Sequence, residues 1–96
     1  MVKTANFTAA SGDDGDKFGG YFITTTTGAT IVVTLGAAGT GNAGRSVTFI
    51  KTDATTGEVQ VTVSGGGLIS GKWASLYLIN QGDSLTVISN GSSWFS

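Results

Sequence analysis

The chain has 96 residues, with five Lys or Arg, six Asp or Glu and a net charge of −1. It has no Cys and no His, which excludes disulfides and the usual structural zinc sites. A domain this small buries only about 60–65% of the surface its unfolded chain exposes, so oligomerisation is the stabilising device left to it.

In chain order, residues 1–20 come first. They hold the run Ser11-Gly12-Asp13-Asp14-Gly15-Asp16 and only isolated apolar residues. They read as an extended N-terminal arm ordered by a partner, with Phe7 and Phe18 as its anchors. From residue 21 the apolar period is two. Residues 21–25 open the β region. In residues 30–35, Ile31, Val33 and Leu35 share one face. Residues 46–51 place Val47 and Phe49 on one face and Ile50 on the other. Residues 58–64 are the strongest strand, with Val59, Val61 and Val63 against Glu58, Gln60 and Thr62. Residues 74–79 are apolar on both faces. Residues 84–89 set Leu85 and Val87 against Thr86 and Ile88, and Trp94-Phe95 follows. β-branched and aromatic residues in alternation, bounded by Gly and Asn, mark strands.

The breaks carry turn chemistry. Asn90-Gly91 suits a type I′ hairpin, and Asn80-Gln81-Gly82-Asp83 a four-residue link of the same kind. No stretch has a capped 3.6-residue period, so no long helix is predicted. A β-helix is an open alternative, but no fixed internal repeat is strong enough to support one. The expected fold is all-β: a small antiparallel β-sandwich, jelly-roll-like or barrel domain over residues 21–96, with the extended N-terminal arm over residues 1–20.

Charged residues are 11% of the chain against an average of about 25%, and a surface so poorly charged tends to associate. Lys3, Lys17, Arg45, Lys51 and Lys72 are scattered, which argues against nucleic acid as a partner. No apolar run approaches the roughly 18 residues of a membrane span, so no membrane partner is expected. The opening residues carry no apolar signal region, and the expectation is synthesis in a cytoplasm.

Several motifs invite a chemical reading. Gly39-x-Gly41-x-x-Gly44 matches a dinucleotide fingerprint in letters. The fingerprint needs a helix after the glycines to hold the pyrophosphate, and a strand is predicted there. Asp13-Asp14-Gly15-Asp16 is too short for a calcium loop and lacks the distal bidentate Glu. Without His or Cys the commonest general base and nucleophile are missing. The pairs Ser70/Lys72 and Ser46/Lys51 read as ordinary surface polarity, and Asp53, Glu58 and Asp83 show no sign of convergence for glycoside hydrolysis. No catalytic residue, cofactor or metal is therefore assigned, and the chain is not expected to be an enzyme. Among the aromatics, Tyr77, Trp94 and Phe95 are candidates for an oligomer interface, and Trp73 for contact with a ligand.

The segment Gly82-Asp83-Ser84-Leu85-Thr86-Val87-Ile88-Ser89-Asn90-Gly91-Ser92-Ser93-Trp94-Phe95 resembles an ending common in phage tail-fibre, head-fibre and capsid-decoration proteins. Ile31-Val32-Val33-Thr34-Leu35, Thr48-Phe49-Ile50-Lys51-Thr52-Asp53 and Val59-Gln60-Val61-Thr62-Val63 extend the likeness, which covers roughly residues 28–96. Gly36 stands where many relatives carry a Pro. The resemblance implies a β-sandwich-like module, often trimeric, placed in the virion after synthesis in the host cytoplasm. A length of 96 residues suits a decoration or cement protein better than a fibre, which needs reach. The expected function is a trimeric capsid decoration protein that stabilises the assembled head. Its partners are its own copies and the major capsid protein, the latter touched by the arm through Phe7 and Phe18. The alternative is a tail-fibre or head-fibre module that binds a host receptor or carbohydrate.

Overall fold

Residues that alternate Val, Ile or aromatic with Thr, Ser or Gln bury one side of an extended chain and wet the other. A computed structural model, which describes residues 2–9, 20–39 and 43–96, shows where each strand lies. The strands are β1 (Val2–Lys3), β2 (Phe7–Ala9), β3 (Tyr21–Ile23), β4 (Thr30–Leu35), β5 (Ser46–Lys51), β6 (Glu58–Val63), β7 (Ser75–Leu78), β8 (Ser84–Ser89) and β9 (Trp94–Phe95). One sheet has the order β1-β3-β5-β8-β9 and the other β2-β4-β6-β7. Both contribute to one core. Ile23, Val33, Leu35, Phe49, Val59, Val61, Ile69 and Val87 are fully buried in it. The all-β class holds. Among the described residues no helix is long and apolar enough to cross a membrane.

The antiparallel expectation needs correction, because both sheets are mixed. β1–β3, β2–β4, β3–β5 and β4–β6 pair in parallel, while β5–β8, β6–β7 and β8–β9 pair antiparallel. The first six strands alternate between the sheets. Each return to a sheet therefore completes a full turn of chain, and the new strand runs in the direction of the one it joins. The expectation of no internal repeat is revised with it. Tyr21–Ile23 lies on Phe49–Lys51 and Thr30–Leu35 on Glu58–Val63, all at an offset of 28 residues. The corner between the sheets repeats too: Thr24 and Thr52 join hydroxyls at 3.0 Å, and the Gly28 amide donates to the Thr56 hydroxyl at 3.1 Å.

Residues 2–9 are not an arm. Val2–Lys3 and Phe7–Ala9 form the first, shorter turn of this winding, and Asn6 Oδ1 accepts the Val32 amide at 2.8 Å. Phe7 packs on the core, its ring 4.8 Å from that of Tyr21, which in turn stacks on Phe49 at 5.6 Å. Lys3 Nζ sits 5.0 Å from the Phe7 ring centre, so the ammonium covers the aromatic end of the core while its stem packs.

The link 80–83 is not a hairpin. It carries the chain from β7 in one sheet to β8 in the other. Asp83 Oδ2 accepts the amides of Ile79 at 3.1 Å and Asn80 at 2.8 Å and locks this crossing. The Asn90-Gly91 hairpin does form, between β8 and β9, but it spans residues 90–93. Only Gly91 has positive φ, and Asn90 Oδ1 takes the amides of Ser92 and Ser93. A type I′ turn needs positive φ at both central residues, so an Asx-type turn stands in its place.

Candidate interaction surface

The outer faces of the two sheets differ in kind. On the four-stranded sheet the pleat turns Thr30, Thr34, Glu58, Gln60 and Thr62 outward, with Val32 and Tyr77 among them. On the five-stranded sheet Val2, Phe22 and Ile50 are direct cross-strand partners on the outer face. Val2 is 66% exposed and Phe22 47%. Ile88 and Phe95, paired on β8 and β9, add exposed apolar surface on the same face. Between these groups the Thr48 and Thr86 hydroxyls bond each other at 2.8 Å. Cross-strand apolar pairs left in water are a cost that burial against a partner removes.

One ion pair lies inside the protomer. Val47, Phe49 and Lys51 are successive inward positions of β5, so its alternation carries Lys51 into the core, fully buried. Its Nζ donates to the Asp53 carbonyl at 2.8 Å, Asp53 Oδ2 at 3.0 Å and the Thr55 carbonyl at 3.2 Å. An ammonium has three donors, and all three are used. Asp53 also accepts the Thr25 amide at 2.6 Å, the Thr55 amide at 3.1 Å and the hydroxyls of Thr25 and Thr55. Burial pushes the Asp53 carboxyl up. The Thr55 hydroxyl, the Thr25 amide, Lys51 and the Thr25 hydroxyl outweigh it and hold the group well below the usual carboxylate range. The cluster clips one turn of the winding to the next. Every donor and acceptor is engaged, so it is a structural device.

The residues singled out from the sequence scatter. Phe7 is half-buried and packs against the core from β2, not from an extended arm. Phe18 and the acidic run 13–16 lie outside the described residues. Trp94 is 4% exposed and its Nε1 donates to the Gly36 carbonyl at 2.8 Å, which places it inside the protomer and not at an oligomer interface. Its neighbour Phe95 alternates outward and is 44% exposed. Tyr77 is exposed on the four-stranded sheet, and Trp73 is 42% exposed with Lys72 Nζ 5.5 Å from its ring. No ring contact joins Trp73, Tyr77, Trp94 or Phe95, so they form no shared platform.

The remaining motifs also resolve. Residues 40–42 of the glycine run lie outside the described residues, and the element that follows the run is strand β5, not a helix. Ser70 accepts the Ser96 amide through Oγ at 3.1 Å, and Lys51 pairs with Asp53, not Ser46. Sequence reasoning passed over Val2, Phe22 and the Lys51–Asp53 clip. The signal for the clip was a Lys at an inward position of an alternating strand.

Trp94→Phe tests the placement of the indole. It keeps most of the apolar volume but strands the Gly36 carbonyl. The expected loss is about 1 kcal/mol, the net worth of one hydrogen bond to a part-buried acceptor, read from urea unfolding midpoints. A loss near zero would show that the indole N–H is not needed there. No protein-family model, curated protein or solved structure matches this chain.

Proposed function

We propose that this protein is a structural component of a phage virion, a trimeric capsid decoration or cement protein that binds and stabilises the assembled head. The observation that carries the reading is the apolar row Val2–Phe22–Ile50 on the outer face of the five-stranded sheet, extended by Ile88 and Phe95. Covering apolar surface is worth roughly 25 cal/mol per Å². With so few charges, little repulsion opposes contact between copies. The row belongs at the contact between protomers, and the major capsid protein meets the trimer elsewhere on its surface. The mechanism is mechanical: a trimer bridging neighbouring capsid subunits adds contact area that resists outward pressure. Neither nucleic acid, membrane nor catalysis enters it. Two sheets over one core, with strands alternating between them, favour a β-sandwich wound as a short coil over a barrel or a jelly roll.

Sedimentation equilibrium is expected to give a trimer, and Phe22→Asp a folded monomer whose unfolding midpoint is lower than that of wild type and independent of protein concentration, because the stability linked to association is lost. Phe22→Asp is also expected to lose co-sedimentation with capsids that lack the protein. A wild-type monomer that binds capsids as well as the variant does would remove the trimer from the reading. The exposed Trp73 favours the second reading, a tail-fibre or head-fibre module that contacts a host receptor. Antibody labelling of virions separates the two, with head labelling expected.

A further inference from the structure

At the ends of β4 and β6, away from the Lys51–Asp53 clip, a cleft of about 330 Å³ opens. Its walls come from three separate segments: the loop after β4 with Ala37 and Ala38, the turn after β6 from Ser64 to Leu68, and the β8–β9 link with Ser92 and Ser93. Val63 and Trp94 complete it.

Hydrogen bonds hold two of the three walls and the chain beside the third. Trp94 Nε1 holds the Gly36 carbonyl at 2.8 Å, which pins the first segment. The Ser70 amide donates to the Trp94 carbonyl at 2.7 Å, which ties the chain just after the second segment to β9. Asn90 Oδ1 takes the Ser92 and Ser93 amides, each at 2.9 Å, and pins the third. A preformed site avoids the ordering cost of binding. Its volume falls at the lower end of the range for small-ligand pockets, about 300–1,000 Å³.

The lining states the chemistry. Leu68, which is exposed, and Ala38 supply the open apolar surface, with Val63 and the indole buried behind them. The side-chain hydroxyls of Ser64, Ser92 and Ser93 make no hydrogen bond to the protein among the described residues. No charged side chain lines the cleft. A charged ligand would lose water there with no countercharge to meet it. A wholly apolar ligand would leave the serines without partners. We propose that this cleft binds a neutral saccharide, with an apolar C–H face of a sugar ring on the aliphatic wall and its hydroxyls on the three serines. Trp73 and Tyr77 are not part of it. The site is separate from the row Val2–Phe22–Ile50, none of whose residues lines the cleft.

The test is a titration of the ¹⁵N-labelled full chain with maltose, lactose and diacetylchitobiose, and with glucuronate as the charged control. Saturable amide shifts at Ser64, Gly65, Leu68, Ser92 and Ser93, with the Trp94 indole, are expected for at least one neutral sugar and not for glucuronate. Ser64→Ala and Ser92→Ala remove exposed hydroxyls without touching the core. Each is expected to weaken that binding about two- to tenfold, the effect of one neutral hydrogen bond. Three results would overturn the site: no saturable shift with any of the neutral sugars, shifts confined to the Trp73 indole, or unchanged affinity in both serine variants. The trimer measurement reads separately, since the serine variants are expected to sediment as wild type does.

Discussion

Asp53→Ala is expected to cost about 3–5 kcal/mol of stability, the range for breaking a buried ion pair by removing one partner. The side chain is only 12% exposed, and the Lys51 it faces is fully buried. Removal leaves an ammonium in the core with two carbonyls in place of three acceptors. It also frees the amides of Thr25 and Thr55, which belong to successive turns of the winding. Urea unfolding at neutral pH reads the loss, and a change under about 1 kcal/mol would show that the clip is not what ties the turns together. One turn earlier, Ile23 and Thr25 occupy the positions of Lys51 and Asp53. The double variant Lys51→Ile, Asp53→Thr copies that turn. It is expected to be more stable than Asp53→Ala alone, because no charge is left buried.

The same cluster sets an acid limb. The folded-state pKa of Asp53 lies below its ordinary value of 3.8. Its contribution is therefore fully present above that value and is lost as pH falls. Stability should be level from neutral down to about pH 5 and decline below it, as the unfolded state takes up protons that the folded state refuses. Asp83, lowered by the amides of Asn80 and Ile79, adds a change of the same sign. Urea midpoints at pH 7 and pH 3 should differ less in Asp53→Ala than in wild type. An equal difference would assign the acid limb to other carboxylates.

The strands were legible where alternation ran for six residues. Val59, Val61 and Val63 point inward as their spacing demands, and so do Ile31, Val33 and Leu35. Strand direction was not legible, because a period of two is the same in a parallel and an antiparallel ladder. The offset of 28 residues hides for a related reason. Stacking preserves which positions face inward and not which residues fill them: Tyr21 meets Phe49, Val32 meets Gln60 and Ile23 meets Lys51, so few letters repeat. β1 and β2 are two and three residues long, too short to show any period. Adjacent aromatics such as Trp94 and Phe95 must face opposite ways on a strand, and only the sheet decides which enters the core. The apolar row on the five-stranded sheet was hidden by a good rule: Phe22 sits in a strand, where an aromatic residue ordinarily packs inward.

Gly57→Ala is the substitution the winding is least able to absorb. A Cβ at this position would lie 2.3 Å from the Thr26 carbonyl oxygen, 2.5 Å from Thr25 Oγ1 and 2.7 Å from Thr25 Cβ. None of these atoms is the loose end of a side chain. The first is backbone of the preceding turn, and Thr25 is held through its amide and its hydroxyl by Asp53. The methyl group therefore has to push two turns apart at the corner where the clip holds them together. The expected loss is about 3 kcal/mol, the upper part of the range for overpacking. Gly28 is the control. Its φ is +72° and nothing lies within 4 Å of its would-be Cβ, so alanine there meets only backbone strain. A single residue forced into the left-handed region costs about 1–2 kcal/mol. Gly57 needs no such φ, and conformational preference alone would rank it as the milder of the two changes. The close stacking of turns reverses that order. Thermal and urea unfolding of both variants should place Gly57→Ala clearly below Gly28→Ala, and the opposite ranking would mean that the turns are not stacked this closely at the Thr25–Gly57 contact.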